Sequence, residues 1–309
     1  MLSDPEFSDP APVCLFAFRR PDHTRRTLAA LAASPLALAT RLTVYVDGPR
    51  DASDVALIDE VVQVAQAQTG FAALDVIRRE QNAGLATAIA EGVSRTMQAH
   101  GRAIVVEDDI VVSPAFLHYM NRALDRYADV PEVWHIAGYN EDLRDSRTLE
   151  GAAFLRFMSC WGWASWADRW QHFRRDPAGL IQDFSQQDIH RFNLDGAHDF
   201  WGQVLGNQSG ELRTWAVFWY ATIFQNNGLC LSPHLSYTKN IGFDGSGSHG
   251  VTNDTYLRDR LNTDLNPPLP DVIAEDAQAL QRLRAYYTHR PTFSEKLARK
   301  WRRLRNTLR

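Results

Sequence analysis

Cysteine is scarce. The three in 309 residues, Cys14, Cys160 and Cys230, are widely spaced and odd in number. They form neither a disulfide framework nor a metal-ligand spacing, and they fit a reducing cytoplasm. Cys14 and Cys230 lie in apolar, strand-like runs and read as small core residues. Long apolar runs are missing too, since none approaches the ~20 residues of a membrane-spanning helix. The opening "MLSDPEFSDPAP" has neither the basic start nor the apolar stretch of a secretory signal, so residues 1–11 are expected to be a disordered lead-in. Positive charge is scarce in the body. Residues 290–309 hold eight Lys/Arg against one Glu, so the net charge of −4 leaves −11 for residues 1–289. An acidic body argues against nucleic acid as a partner. No repeat and no linker divides the chain.

Hydrophobic residues make up 45% and charged residues 23%, enough apolar side chain for one substantial soluble core. The first half alternates two patterns. "PVCLFAF" (12–18), "LTVYVDG" (42–48), "ALDVIRR" (73–79) and "RAIVVEDD" (102–109) are strand-like, and the segments 22–33, 52–68 and 85–99 between them have helical spacing. This alternation predicts an α/β fold, a mostly parallel sheet flanked by helices. Such sheets bind ligands beyond the carboxyl ends of their strands. Here those ends read "FRRPD", "DGPRD", "REQNAG" and "EDD", all polar.

Ser113 and Pro114 predict a helix start for "AFLHYMNRALDRY", and "VWHIAGYNED" (133–142) reads as a further strand. "TWAVFWYATIFQNNG" (214–228) reads as a buried helix ending at Gly228. The expected organisation is one domain over 12–285. Its first half is 12–112 and its elaborated second half is 113–285, with a basic tail at 286–309.

The run "RAIVVEDDIVVSPAF" carries the chemistry. Glu107, Asp108 and Asp109 interrupt the most hydrophobic strand, and apolar residues resume at once. In an unbroken strand, alternation sends Glu107 and Asp109 to one face and Asp108 to the other, so at least one carboxylate would be buried. An unpaired buried carboxylate costs several kcal/mol. A hard divalent cation, Mg2+ or Mn2+, removes that cost and leaves positions for the oxygens of a diphosphate.

With Asp47 after "VYV", "NAGLATAIAEG" (82–92) and "VEDDIVVSPAFLHYM", the chain resembles the GT-A nucleotide-sugar glycosyltransferases. The Asn-x-Gly-Leu then Ala pattern resembles glycosyltransferase family 2. "EDD", "SPAF", "CWGWASW" and the late "SHG" (248–250) resemble the N-acetylglucosaminyltransferase I group, and residues 219–250 resemble bacterial capsule and O-antigen sugar transferases. The resemblance spans roughly residues 12–255. It implies metal-dependent, inverting transfer of a sugar from a nucleotide-diphosphate donor to a hydroxyl of a saccharide acceptor, lipid-linked acceptors included, in bacterial surface polysaccharide synthesis. Phe18, Arg20 and Asp47 would meet the nucleoside, and Asn82 and Gly84 would let the backbone approach the nucleotide. Asp109 would ligate the metal, with Glu107 and Asp108 orienting the donor.

"FMSCWGWASWADRW" packs four Trp into ten residues. Packing accounts for such a cluster as readily as sugar binding does, but sugars present C–H faces to aromatic rings, and Trp161, Trp163 and Trp166 are candidates to line an acceptor site. "FDGSGSHG" is either a surface loop or a lid over the diphosphate, in which Lys239, Ser248 and a metal-binding His249 would contribute. The resembled groups place an Asp base near the start of the late aromatic helix. This chain has no Asp between Glu211 and Tyr220, so Glu211 is the first candidate for catalytic base and Asp142 the second. In the tail, Phe293, Leu297, Trp301, Leu304 and Leu308 form one stripe among basic residues, the pattern of an interfacial helix on anionic lipid. That suits a peripheral position at the inner face of the plasma membrane.

Two competing readings remain. A non-catalytic GT-A relative that binds nucleotide or sugar would account for the missing Asp. A nucleotidyltransferase would carry a Gly-rich basic signature after the first strand, and "FAFRRPDH" contains no Gly.

Overall fold

The structure, a computed structural model, describes residue 7 and residues 9–143, 148–244 and 260–289. In chain order its elements begin with β1 (Val13–Ala17), α1 (Pro21–Ala32), β2 (Arg41–Val46), α2 (Val55–Ala67), β3 (Ala73–Arg78), α3 (Leu85–His100) and β4 (Arg102–Glu107). Next come β5 (Ile110–Val112), α4 (Phe116–Arg126), β6 (Val133–Ala137), β7 (Ala152–Leu155), β8 (Trp163–Trp166) and α5 (Ala167–Trp170). The chain continues through α6 (Pro177–Asp183), α7 (Gln186–Phe192), α8 (Trp201–Ser209), α9 (Ala216–Gln225), β9 (Leu229–Pro233), β10 (Thr238–Asn240) and α10 (Ala277–Thr288).

Eight strands form one sheet in the order β3-β2-β1-β4-β8-β6-β9-β7. The pairs β3–β2, β2–β1, β1–β4 and β6–β9 are parallel. Only β8 and β7 run against the rest. The α/β, mostly parallel arrangement expected from the alternation is therefore present. Period-2 alternation divides the core between the two faces. Val13, Leu15 and Ala17 of β1 join α1, α2 and α4 on one face. Cys14 and Phe16 join α3, α9 and the Trp cluster on the other. Local signals set several element ends. α1 starts with Pro21 at its first position, where a missing N–H costs nothing. α3 stops at Gly101, which takes the left-handed conformation (φ 75°) and donates its N–H to Met97 O, a common glycine helix stop.

Four expectations need correction. The acidic run does not lie within one strand: β4 ends at Glu107, and Ile110–Val112 pair instead with β10 in a separate two-stranded sheet. The alternation argument for the two faces of Glu107, Asp108 and Asp109 therefore lapses. Ser113 does not cap α4, which begins two residues later than expected, at Phe116 with Ala115 as its N-cap; the Ser113 Oγ is buried without a hydrogen-bond partner. The lead-in is partly docked, with Phe7 buried against His118 and the Ala11 N–H donating to Asn121 Oδ1. The body extends to Thr288, the end of α10, rather than stopping at 285. Residues 290–309 lie outside the described residues.

Candidate active site

Connections from β1 and β4 run to opposite halves of the sheet, so the gap beyond their carboxyl ends is a topological switch point, where open α/β sheets bind ligands. Register pairs Phe16 with Glu107, which brings "FRR" and "EDD" together. The Phe18 N–H donates to Asp108 Oδ2 at 3.0 Å, and the Thr27 hydroxyl donates to Asp108 O at 2.7 Å. Arg19 takes a left-handed backbone (φ 40°), an uncommon conformation for a residue with a side chain. Its guanidinium pairs with the buried Asp54 at 2.9 Å. Beyond that turn, Arg20 Nη1 reaches Asp109 Oδ2 at 3.0 Å and Asp108 Oδ1 at 3.8 Å. Arg20 thus meets the acidic run directly.

One guanidinium faces three carboxylates. Burial first, then the charges of Asp109 and Asp108, push the Glu107 carboxyl up, while a hydrogen bond from the Trp215 indole acts the other way. Burial and the Asp109 charge likewise raise Asp108. Burial also raises Asp109, against the pull of Arg20. Asp109 Oδ1 is buried and accepts no hydrogen bond. Its backbone carbonyl accepts from the Ile241 N–H at 2.8 Å. A Cβ on the next residue, Gly242, would stand 2.1 Å from Asp109 Oδ2, so glycine there keeps the carboxylate in place.

This donor set fits a hard divalent cation. An orphaned carboxylate oxygen in an over-acidic, half-buried cluster is an acceptor that no protein donor, Arg20 included, satisfies. Among the described residues no three His, Cys, Asp or Glu side chains converge as a protein-only cage. Mg2+-type sites commonly use one or two carboxylates, with diphosphate oxygens completing the shell. The expected His249 and Ser248 lie outside the described residues. Lys239 stands on β10 opposite Val111, two residues beyond Asp109.

Asp47 does a different job from the one expected of it. Its Oδ1 accepts the N–H groups of Gly48 and Ala83, and its Oδ2 accepts Asn82 Nδ2 and the Gly84 N–H, all within 3.0 Å. Four donors fill a carboxylate's acceptor capacity. Asp47 therefore shapes the Asn82–Gly84 turn and has no acceptor site left for a base or ribose. Gly84 has φ 78°, a conformation glycine enters without steric cost.

Two cavities draw on the first turns of α9, one through Phe218 and the other through Ala216, Val217 and Tyr220. One, of about 480 Å³, is lined by Asn82, Gly84, Arg175, Leu212 and Arg213 among others. The other, of about 250 Å³, is lined by aromatic residues, by Glu141, and by Ala216 and Val217 of α9 itself. Glu211 is exposed beside the first cavity, between its lining residues Gly210 and Leu212. Asp142 is exposed and lines neither cavity.

Of the three tryptophans, only Trp161 lines a cavity, the second one. Trp163 is fully buried among Trp170, Trp215 and Trp219, and Trp166 is buried with its indole N–H donating to Leu124 O. Alternation along β8 sends these two to opposite core faces, so neither is available to an acceptor.

Glu141 was missed in the sequence, where it is one of two adjacent acids. It accepts from the Tyr139 hydroxyl at 3.2 Å and the Tyr287 hydroxyl at 3.1 Å. The cavity wall at Ser159–Trp161 is held from behind by His135. Trp219 Nε1, which can only donate, points at His135 Nδ1 (3.2 Å), so the proton sits on Nε2 and is donated to Ser159 O at 3.0 Å. Burial lowers the His135 pKa to about 3, so this strut stays neutral.

No family model matches the chain, and no curated protein sequence does. Among solved structures it is similar to a mannosyltransferase of Pyrobaculum calidifontis held with GDP-Man and Mn2+, at 9% identity over 73% of this chain and 71% of that one, with a TM-score of 0.41. It is also similar to residues 1–349 of TarS from S. aureus, at 9% identity over 74% and 59% of the two chains, TM-score 0.43. A third similar structure is glucosyl-3-phosphoglycerate synthase from Mycobacterium tuberculosis with Mn2+, UDP-Glc and phosphoglyceric acid. There the identity is 12% over 52% and 58% of the two chains, TM-score 0.33. The match spans less than two thirds of the latter two chains.

Proposed function

We propose that this chain is a metal-dependent glycosyltransferase that moves a sugar from a nucleotide-diphosphate donor to a hydroxyl of a saccharide acceptor. The observation that carries this reading is the carboxylate cluster at the switch point, with Asp109 Oδ1 buried and unpartnered. Asp109, supported by Asp108, would hold Mn2+ or Mg2+. When bound, the ion supplies positive charge to the diphosphate and so stabilises the leaving group. Arg20 orients Asp109 and adds charge on the same side of the cluster.

The two cavities differ in a way that suits two substrates. Arg175, Arg213 and the first turn of α3 give the larger one a positive character that favours an anionic donor. Among the described residues the smaller cavity is lined by no Lys, Arg or His, and its aromatic walls with one acid suit a sugar ring. Phe18, Asn82, Gly84 and Glu107 are assigned to the donor side, Trp161 to the acceptor side. The inverting course and the surface-polysaccharide role, lipid-linked acceptors included, are parts of this proposal, as is membrane-surface attachment through residues 290–309. Among the described residues no helix is long and apolar enough to cross a membrane.

One observation favours a non-catalytic binder instead. The start of α9 presents Trp215, Ala216 and Val217, none of which can take a proton. The test is nucleoside diphosphate release from UDP-, GDP- and dTDP-sugars with Mn2+. Release that disappears in Asp109→Ala supports transfer, whereas metal-dependent binding without any release identifies a binder.

A further inference from the structure

We infer that His23 is a second protein ligand of the divalent ion, its Nε2 forming with Asp109 a mixed nitrogen and oxygen donor pair that favours Mn2+ over Mg2+. The inference rests on the metal-dependent reading above and adds a residue from α1, outside the acidic run.

The helix face is the first support. Arg20 is the N-cap of α1, and His23 and Thr27 follow at spacings of three and four, which places all three on one side of the helix. Both outer members of that row meet the acidic run. Arg20 pairs with Asp109 and Asp108, and Thr27 donates its hydroxyl to Asp108 O. His23 lies between them on the same side, close enough for its charge, when protonated, to favour the ionised form of Asp109. A pair of orphaned atoms is the second support. The His23 side chain is only 10% exposed, and its Nε2 is buried with no hydrogen-bond partner among the described residues. Asp109 Oδ1 is in the same condition. With the imidazole neutral and its proton on Nδ1, both atoms are acceptors, and one cation satisfies both.

The chain leaving β10 adds the third support. Asp244 Oδ2 stands 3.2 Å from His23 Nε2 without the geometry of a hydrogen bond. Asp244 comes two residues after Gly242, which packs against Asp109, so one short segment borders both orphaned atoms and brings further negative charge to them. The competing reading is a plain ion pair between protonated His23 and Asp244, and the test separates the two. The donor chemistry decides the ion. Mg2+ sites are built from oxygen, whereas imidazole suits first-row transition ions. One carboxylate and one imidazole, with diphosphate oxygens beside them, therefore favour Mn2+ over Mg2+.

The test uses the full chain, with and without nitrogen-15 in its histidines, loaded with Mn2+ alone and with Mn2+ plus UDP, GDP or dTDP in turn. Electron spin echo modulation reports nitrogen bound directly to Mn2+, and the label shows whether that nitrogen is histidine. The expected result is a histidine nitrogen that persists in His249→Gln and in Asp244→Asn and is lost in His23→Gln and His23→Asn. Losing even an outer partner of a metal site typically costs ~10–100-fold in affinity. Calorimetric Mn2+ affinity should therefore fall at least ~10-fold in both His23 variants, Mg2+ affinity should fall less, and melting temperature without metal should stay near wild type. Asp109-dependent Mn2+ binding with no histidine nitrogen, or a nitrogen signal that survives both His23 variants, would overturn the ligand assignment and leave the metal-dependent reading standing. Equal stability losses in His23→Gln and Asp244→Asn with unchanged Mn2+ affinity would show the plain ion pair and overturn it as well. Mn2+ binding that is indifferent to Asp109→Ala, or absent with every nucleotide, would overturn the metal-dependent reading and the ligand assignment with it.

Discussion

Asp109 and Gly242 are the residues on which the site depends most closely. With a Cβ at Gly242 only 2.1 Å from Asp109 Oδ2, Gly242→Ala must displace either the carboxylate or the backbone leading out of β10. Loss of a supporting contact typically costs a metal site about 10–100-fold in affinity. Gly242→Ala is expected to fall in that range for Mn2+-dependent nucleotide binding, read by calorimetry, with little change in melting temperature; unchanged binding would show that the Asp109 geometry is not needed. Asp54 is the second sensitive residue. Hydrogen bonds from Arg50, then the charges of Arg50 and Arg19, hold its carboxyl at about 2, below its ordinary 3.8. A depressed carboxylate stabilises the fold fully above the unfolded-state value and loses that contribution as pH falls through the folded one. The melting-temperature gap between wild type and Asp54→Asn should therefore be full at pH 5 and close on acidification toward pH 2. The acidic run was legible in the sequence because apolar residues frame it on both sides. Glu141 was not, because adjacent acids at a strand's end point in different directions that only the packed chain settles, and Asp47 was misjudged because three of its four donors come from the distant turn at 82–84.

Among the elements, β4 and β8 explain most of the difference between expectation and structure. Hydrophobic periodicity carried the first half well: β1 to β4 and α1 to α3 lie close to the strand-like and helical runs, because each is amphipathic or fully apolar over its whole length. The same signal read the residues after Glu107 as one continuing strand, since apolar character does not report which sheet a segment joins. The Trp cluster misled differently. In β8 each ring finds a core face, and what distinguishes Trp161 is that it precedes the strand, in the bend that ends at Gly162 (φ 77°). Removing a buried Trp typically costs 3–5 kcal/mol. Trp163→Ala is expected to lose about that much stability in denaturant unfolding, while Trp161→Ala loses less and instead weakens acceptor use. Equal stability losses from the two would contradict the assignment of one to the core and the other to the cavity.

For the molecule as a whole, one sheet with its switch point between β1 and β4 gathers residues from 18 to 242 at a single edge. The basic tail adds a separate property. Each Lys or Arg near an anionic membrane surface contributes about 1 kcal/mol, so the full chain is expected to bind phosphatidylserine vesicles at low salt and a chain ending at residue 289 is expected not to. Equal vesicle binding by the two would remove the tail from the proposal. The central claim is that the carboxylate cluster holds a divalent ion against a nucleoside diphosphate. Calorimetric titration of UDP, GDP and dTDP, each with and without Mn2+, into the wild type and Asp109→Ala tests it most directly. The expected result is binding of one nucleotide that requires Mn2+ and falls by more than ~100-fold without Asp109. Binding that is indifferent to both the ion and the substitution, or no binding to any nucleotide, would contradict it.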